Sequence, residues 1–290
     1  MMLPAIAFIV LLYYVPMPGA ILAFKNYKPA LGIYGSGWAD PLWKNFIFFF
    51  RSDTAFQITR NTVAYNLANM ALGTVFAIAF AIMLSELRGK FFPGLYKGLM
   101  ILPVFLSWIV VQYIAYSLLS MDRGLINNAI ASLGGTPVEW YSKPFYWVFI
   151  MPIAFLWKGV GNSAVFYVAA IAGISVEYYE AATIDGATKW QQIRKITLPL
   201  LKPTVIVLTL LSLGNVFGGD WTAYYTITNN SGALYPATDV IGTYVYRSLR
   251  SNPSYAMTAA VGLYQTAVGF ALVLLTNFAV SKADPENKLF

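Results

Sequence analysis

The 290-residue chain has neither cysteine nor histidine. It therefore has no disulfide, no thiol nucleophile, and none of the side chains that most often bind zinc or haem or act as a general base. Charged residues are also scarce, at 11% of the sequence, where soluble domains carry about 25%. Such a chain could not cover a globular surface in water. We therefore expect no metal site and no soluble enzyme.

Apolar residues take the place of the missing charge. They make up 58% of the sequence, with aromatic residues at 17%, and the mean hydropathy is +0.61. The net charge of +7 comes from basic residues scattered over short loops, with no block dense enough to predict binding to nucleic acid. This composition predicts a protein in contact with membrane lipid, with aromatic side chains at the interfaces.

Six apolar runs are long enough to cross a bilayer as helices. The sequence therefore predicts an all-α, polytopic membrane protein with six transmembrane helices. It forms a single domain over residues 1–290, since no repeat or linker divides it. Pro103 lies in the third run, where neighbouring helices can satisfy the carbonyl that it frees. The predicted spans are 3–24, 61–84, 96–119, 145–174, 200–217 and 255–280.

The first run differs from a secretory signal peptide, because it lacks a basic leader and contains Pro16 and Pro18. We expect it to be the first span. In the native subunit, we expect a cytoplasmic tail that is absent from this sequence to precede it. Six spans put both termini on one side of the membrane. Basic residues divide evenly between the two sides, so the charge bias gives little support to either orientation.

The segment 175–200 is the longest polar-rich stretch between apolar runs. Ser175 can cap a short helix, and Gly186 can end it in a left-handed conformation. Thr188 and Gln191 have capping-box spacing, so a second helix can start at once. Pro199 then stands at the start of the next apolar run. The segment therefore predicts a helix–glycine–helix with one apolar side, formed by Tyr178, Ala181, Ala182, Trp190, Ile193 and Ile196.

The same segment matches a known pattern: Glu-Ala-Ala, three residues, Gly, nine residues, Ile, one residue, Leu-Pro. This pattern resembles the cytoplasmic loop of permease subunits of binding-protein-dependent ABC importers. The positions that fill it are Glu180, Ala181, Ala182, Gly186, Ile196, Leu198 and Pro199. Asp185 lies inside the matched stretch. Other pieces, at 156–161, 178–187, 196–204, 243–246, 260–265 and 284–290, are similar to the oligo- and polysaccharide members of the carbohydrate-uptake branch.

The resemblance implies the fold and the partners. The fold would be that of type I ABC importer permeases, in a bacterial cytoplasmic membrane with both termini cytoplasmic. A second permease subunit, usually a different gene product, would complete the path, and an extracytoplasmic binding protein would deliver a carbohydrate. Two cytoplasmic ATPases would bind ATP and Mg, so the subunit itself would carry no cofactor and perform no chemistry. Glu180 could contact a basic group on the ATPase or simply favour a helix N-terminus.

The substrate path is where the pattern is least informative. Residues 218–225 depart from the acidic and phenylalanine pattern expected after the fifth span. Lys158 is a costly cation inside a span, which marks a path or a buried partner, although it could also snorkel or hold a loop carbonyl. Stacking and amide hydrogen bonds suit a neutral sugar, but interface anchoring would explain each such residue equally well. The candidate path residues are Lys158, Asn162, Asn215, Asp220, Trp221 and Tyr224.

Three other functions remain open from the sequence. An ABC permease for a non-sugar solute would carry the same loop. A secondary transporter would need carboxylates inside its spans for ion coupling, and the acidic residues fall in loops or at span ends. A membrane-embedded enzyme would have little beyond serine–lysine chemistry at Lys158. The preferred reading is a permease subunit for a carbohydrate, more specifically an oligosaccharide.

Overall fold

The computed structural model describes residues 2–87, 91–251 and 254–283. In this part of the chain, helices account for all regular structure apart from one antiparallel bridge between Lys25 and Trp38. The predicted all-α class is confirmed. The tail 284–290, which contributed to the resemblance, lies outside the described residues.

Five helices are long and apolar enough to cross a membrane, and a bent pair forms a sixth crossing if it is counted as one span. We name them in chain order. The first span is Leu3–Phe24, the second Asp53–Ser85, the third Gly94–Phe105 with Trp108–Leu119, the fourth Pro144–Ala172, the fifth Lys189–Leu213 and the sixth Tyr255–Lys282. Shorter helices lie between them at Gly32–Gly35, Lys44–Arg51, Leu125–Ser132, Val176–Ile184, Trp221–Ile227, Tyr235–Thr238 and Ile241–Ser251.

The second and fourth spans form the central pair of the bundle. Ser52 caps the second span by accepting a hydrogen bond from the Ala55 amide, and Asp53 stands in its first turn, where a negative charge suits the helix dipole. Ala77 and Ala81 then bring the second span close to Ala164 of the fourth. Small residues allow two helices to approach closely in lipid, where packing rather than hydrophobicity drives association.

The third span is broken rather than continuous. Pro103 lies in a 3-10 turn, Leu102–Phe105, and the helix restarts at Trp108 after a bend of 97°. Ser107 caps the second half by accepting from the Val110 amide at 3.3 Å. The sequence correctly expects Pro103 to be tolerated inside this span, but it does not predict a bend of this size.

The fifth span differs from its predicted bounds of 200–217. It begins at Lys189 and ends at Leu213, because a π-helical turn, Ile193–Thr197, carries the chain smoothly into the helix containing Pro199. After the end of this span, the spacing of Gly214 and Gly218 predicts that both glycines pack closely against another helix. Only Gly214 does so. A Cβ on Gly269 of the sixth span would lie 2.9 Å from the Gly214 carbonyl oxygen.

Gly161 gives a direct test of how the third and fourth spans pack. A Cβ there would lie 1.8 Å from the Met100 carbonyl oxygen, whereas a Cβ on Gly159 would meet nothing within 4 Å. We expect Gly161→Ala to force the two spans apart and to destabilise the protein by about 1–3 kcal/mol. Gly159→Ala should be neutral or slightly stabilising, since alanine is the better helix former. Thermal unfolding in detergent measures both variants, and equal melting temperatures would contradict this packing.

Candidate coupling segment and substrate path

The segment 175–200, which we call the coupling segment, starts with a capped helix. Ser175 accepts a hydrogen bond from the Glu177 amide at 3.3 Å, and the helix Val176–Ile184 follows. We call this helix the first arm, and the part of the segment after Gly186 the second arm. The end of the first arm has two bonds typical of a glycine-terminated helix, from the Ala187 amide to the Ala182 carbonyl at 2.8 Å and from the Gly186 amide to the Thr183 carbonyl at 3.1 Å. Gly186 has a φ of +76°. The predicted cap and left-handed glycine are confirmed.

The second arm of the coupling segment starts with the predicted capping box. The Gln191 amide donates to Thr188 Oγ1 at 3.4 Å, while Gln191 Oε1 accepts from the Thr188 amide at 2.7 Å. The helix then runs without a break from Lys189 to Leu213. The second arm and the fifth span are therefore one continuous rod, and any displacement of the arm moves the span.

Buried polar side chains hold the two arms together. Gln192 is 4% exposed, and its Nε2 donates to Thr183 Oγ1 of the first arm at 2.9 Å. The hydroxyls of Tyr179 and Thr197 are 2.9 Å apart and form a second link. We call these four residues the polar clasp. Sequence reasoning missed it, although Tyr179 and Thr183 stand one helical turn apart and so share a face.

Most of the residues that carry the resemblance are exposed on the coupling segment. Glu180, Ala181, Asp185, Gly186, Leu198 and Pro199 are exposed, whereas Ala182 and Ile196 are half-buried. Trp190, which belongs to the predicted apolar side of the segment, is 68% exposed. Ile184 at the tip is 87% exposed and was not singled out. Apolar side chains displayed in this way indicate a surface that another protein covers.

The turn at Gly186 is constrained by its backbone and not by crowding. A Cβ there would meet no atom within 4 Å, so a side chain would find open space at this position. The constraint is the positive φ, which costs most residues about 1–2 kcal/mol.

An ion pair joins the coupling segment to the second span. Lys189 Nζ lies 3.1 Å from Glu86 Oε2, at the end of that span. Behind the pair is a cavity of about 290 Å³, whose lining includes Ile171, Tyr179 and Ile193. Because both charged side chains are largely exposed, the pair contributes little stability. It does show that the second span, the fourth span and the coupling segment meet at one end of the bundle.

Two candidate path residues, Lys158 and Asp220, meet Trp108 at the bend of the third span. Lys158 Nζ donates to the Val104 carbonyl at 2.7 Å and lies 5.2 Å from the centroid of the Trp108 ring. The Trp108 indole N–H donates to Asp220, whose other carboxylate oxygen accepts from the Thr222 amide at 3.2 Å. Asn162 is exposed one helical turn after Lys158 on the same side of the fourth span.

Asn215 lies elsewhere, in a cavity of about 410 Å³ between the second, fourth and fifth spans. Its walls carry further neutral polar groups that sequence reasoning missed, because each is a single polar residue within an apolar run. They are Asn69, Thr74, Ser163 and Ser212. A cavity of this lining can hydrogen-bond hydroxyl groups without any charge.

The two aromatic candidates have different environments. Trp221 is half-buried and stacks on Tyr246, with ring centroids 4.8 Å apart. Tyr224 is buried in the core, with ring centroids 5.2 Å from Tyr65 and 5.3 Å from Phe155. Trp221 is therefore accessible to a ligand in this arrangement, whereas Tyr224 is packed away from solvent.

Apolar helices of bilayer length, a bent span and an exposed helical loop between two spans define a polytopic helical membrane protein. The family model described as "Binding-protein-dependent transport system inner membrane component" matches residues 73–283. The chain belongs to this family, which makes it a non-catalytic permease subunit of an ABC importer. Its predicted assignment to that class is confirmed.

Two curated relatives extend the match over most of the chain. The polygalacturonan/rhamnogalacturonan transport system permease protein YteP of Bacillus subtilis (strain 168) is 34% identical, over 99% of this chain and 88% of its own. The lactose transport system permease protein LacF of Rhizobium radiobacter is 29% identical, over 89% of this chain and 85% of its own.

Solved structures agree with the fold. A bacterial ABC transporter involved in the import of the acidic polysaccharide alginate has a chain with a TM-score of 0.87 and 28% identity, covering 97% of this chain and 94% of its own. The alginate transporter in complex with its alginate pentasaccharide-bound periplasmic protein gives a TM-score of 0.86 at 29% identity, over 99% and 93% of the two chains. The predicted permease fold is confirmed.

The polar clasp can be tested by removing its donor. Gln192→Met keeps the length of the side chain but loses the hydrogen bond to Thr183, which is worth about 1 kcal/mol. We expect the two arms to loosen, with faster hydrogen exchange over 176–197. Lys195→Met, on the exposed side of the same arm, is the control. Unchanged exchange in Gln192→Met would show that the clasp does not hold the arms.

Proposed function

We propose that this subunit forms half of the translocation path for an oligosaccharide and that its coupling segment binds the cytoplasmic ATPase. The continuity of the second arm with the fifth span carries the proposal. A partner that moves the tip would move a transmembrane helix directly, without an intervening flexible loop.

The shape of the coupling segment supports binding to a protein. Val176, Tyr178, Ile184 and Trp190 are between 59% and 87% exposed, and an apolar group of this kind on a polar loop suits a complementary pocket. Capping and the polar clasp hold the two arms in one geometry, so binding would cost little ordering entropy. The proposal includes contact between the ATPase and the residues Glu180, Asp185 and Gly186.

The oligosaccharide substrate is supported by two independent lines. The relatives are named for polygalacturonan/rhamnogalacturonan and lactose transport, and the structural neighbour for alginate import. Within this chain, the cavity around Asn215 offers amide and hydroxyl groups, and Trp221 offers an aromatic surface. Carbohydrates are bound by this combination of hydrogen bonds and flat apolar contact.

The remaining partners follow from the family. A binding protein outside the membrane would deliver the sugar, and a second permease subunit, of a different sequence, would close the path. Two ATPase subunits, with ATP and Mg, would bind at the end where the coupling segment meets the second and fourth spans. Both termini would then face the cytoplasm.

Gly186 tests the coupling role. Gly186→Val should insert normally but abolish most ATP-driven uptake of oligosaccharide, because a β-branched residue resists the left-handed conformation. Gly186→Asn is the matched control, since asparagine tolerates that conformation, and it should retain most of the uptake. Both are measured in vesicles that contain the assembled importer, with co-purification of the ATPase as a second readout. Full uptake and full ATPase recovery in Gly186→Val would refute the proposed role.

A further inference from the structure

Lys158 is a cation near the middle of a transmembrane helix, and it forms no ion pair with any residue that the structure describes. Its ammonium group donates to the Val104 carbonyl and lies over the Trp108 ring. Among the described residues, the ion pairs join Lys189 to Glu86 and Arg247 to Asp239, and neither includes Lys158. Within the described part of the chain, the groups in direct contact with this charge are therefore neutral.

The carboxylate in the same cluster is already engaged. Asp220 accepts hydrogen bonds from the Trp108 indole and from the Thr222 amide, and it caps the helix Trp221–Ile227. Trp108 thus connects the cation and the carboxylate without neutralising either. A charge in the middle of a span is costly and typically marks a substrate or ion path.

Hydrogen bonding to the Val104 carbonyl does not by itself require a charged side chain at position 158. Bending the third span by 97° leaves the Val104 carbonyl without a helical partner, and one neutral N–H donor would satisfy it. An ammonium group brings three donors, of which Val104 uses one. Two donors remain for a ligand, together with a positive charge that the Trp108 ring stabilises only in part.

We propose that Lys158 binds a carboxylate of the transported oligosaccharide, so that the substrate is an acidic sugar chain of the uronate type. This inference rests on the proposed function and specifies its substrate class. The fourth span adds a neutral group beside the cation, since Asn162 is exposed one turn further on the same side. Its amide can bond the sugar hydroxyls next to the carboxylate.

The experiment compares an acidic ligand with its neutral counterpart in the complete importer, reconstituted in vesicles with its binding protein. The probes are a short oligogalacturonate and the same oligomer with its carboxylates methyl-esterified. We expect wild-type uptake to favour the acidic oligomer. Lys158→Gln should lower that uptake about tenfold, as expected for a lost hydrogen bond to a charged group, and should leave uptake of the ester within about twofold. Lys158→Arg should retain most of the acidic uptake.

Lys143→Gln is the control for charge, because it removes an exposed cation from the start of the same helix. Equal losses of both oligomers in Lys158→Gln would mean that the side chain only supports Val104, and wild-type preference for the ester would show that the substrate is neutral. Either result overturns the inference and leaves the importer function intact. Failure of the wild-type protein to move any oligosaccharide under ATP would overturn the proposed function as well. The wild-type comparison needs no variant, so it stands even where a substitution prevents assembly.

Discussion

Backbone hydrogen bonding in a medium without water is the constraint on which this structure depends. Each peptide group within the bilayer needs a partner from the protein, which favours unbroken helices. The chain departs from this rule at the bend of the third span, and there it supplies replacements: Lys158 for the Val104 carbonyl and Ser107 for the Val110 amide. Gly161 lets the fourth span approach the Met100 backbone closely beside the bend. The bend is therefore stabilised by contacts with the fourth span, and these contacts hold the third and fourth spans together.

The fifth span, in contrast to the third, remains a continuous helix although it contains Pro199. Pro199 lacks an amide hydrogen, and its ring crowds the preceding turn. The π-helical turn Ile193–Thr197 precedes it and widens the helix at that point. A break here would have separated the coupling segment from the membrane. The rod instead carries the second arm, which partly buried hydrogen bonds fasten to the first arm.

Sequence predicted the elements whose signals are local and failed where long-range contacts decide. The caps at Ser175 and Thr188 and the turn at Gly186 depend on residues within four positions, and all three are as expected. The continuity of the second helix with the fifth span depends on how the chain packs against the rest of the bundle, and the predicted start of that span at residue 200 was wrong. The cavity around Asn215 could not be predicted because three distant spans each contribute isolated polar residues. The partner of Lys158, a carbonyl 54 positions earlier in the chain, is of the same kind.

These arrangements suggest where movement is easiest. Near the coupling segment, Leu201 of the fifth span is 1% exposed and packs in the cluster of Ala77, Ala164 and Tyr167, which makes a tight contact. Further along the same rod, the cavity around Asn215 separates the fifth span from the second and fourth. Close-packed side chains resist sliding, so the contact at Leu201 is firmer than the side of the rod that faces this cavity. Just beyond the end of the rod, Gly214 lies close to Gly269 of the sixth span. Movement is therefore easiest on the side of the rod that faces the cavity, while Gly161 and Lys158 hold the third span to the fourth.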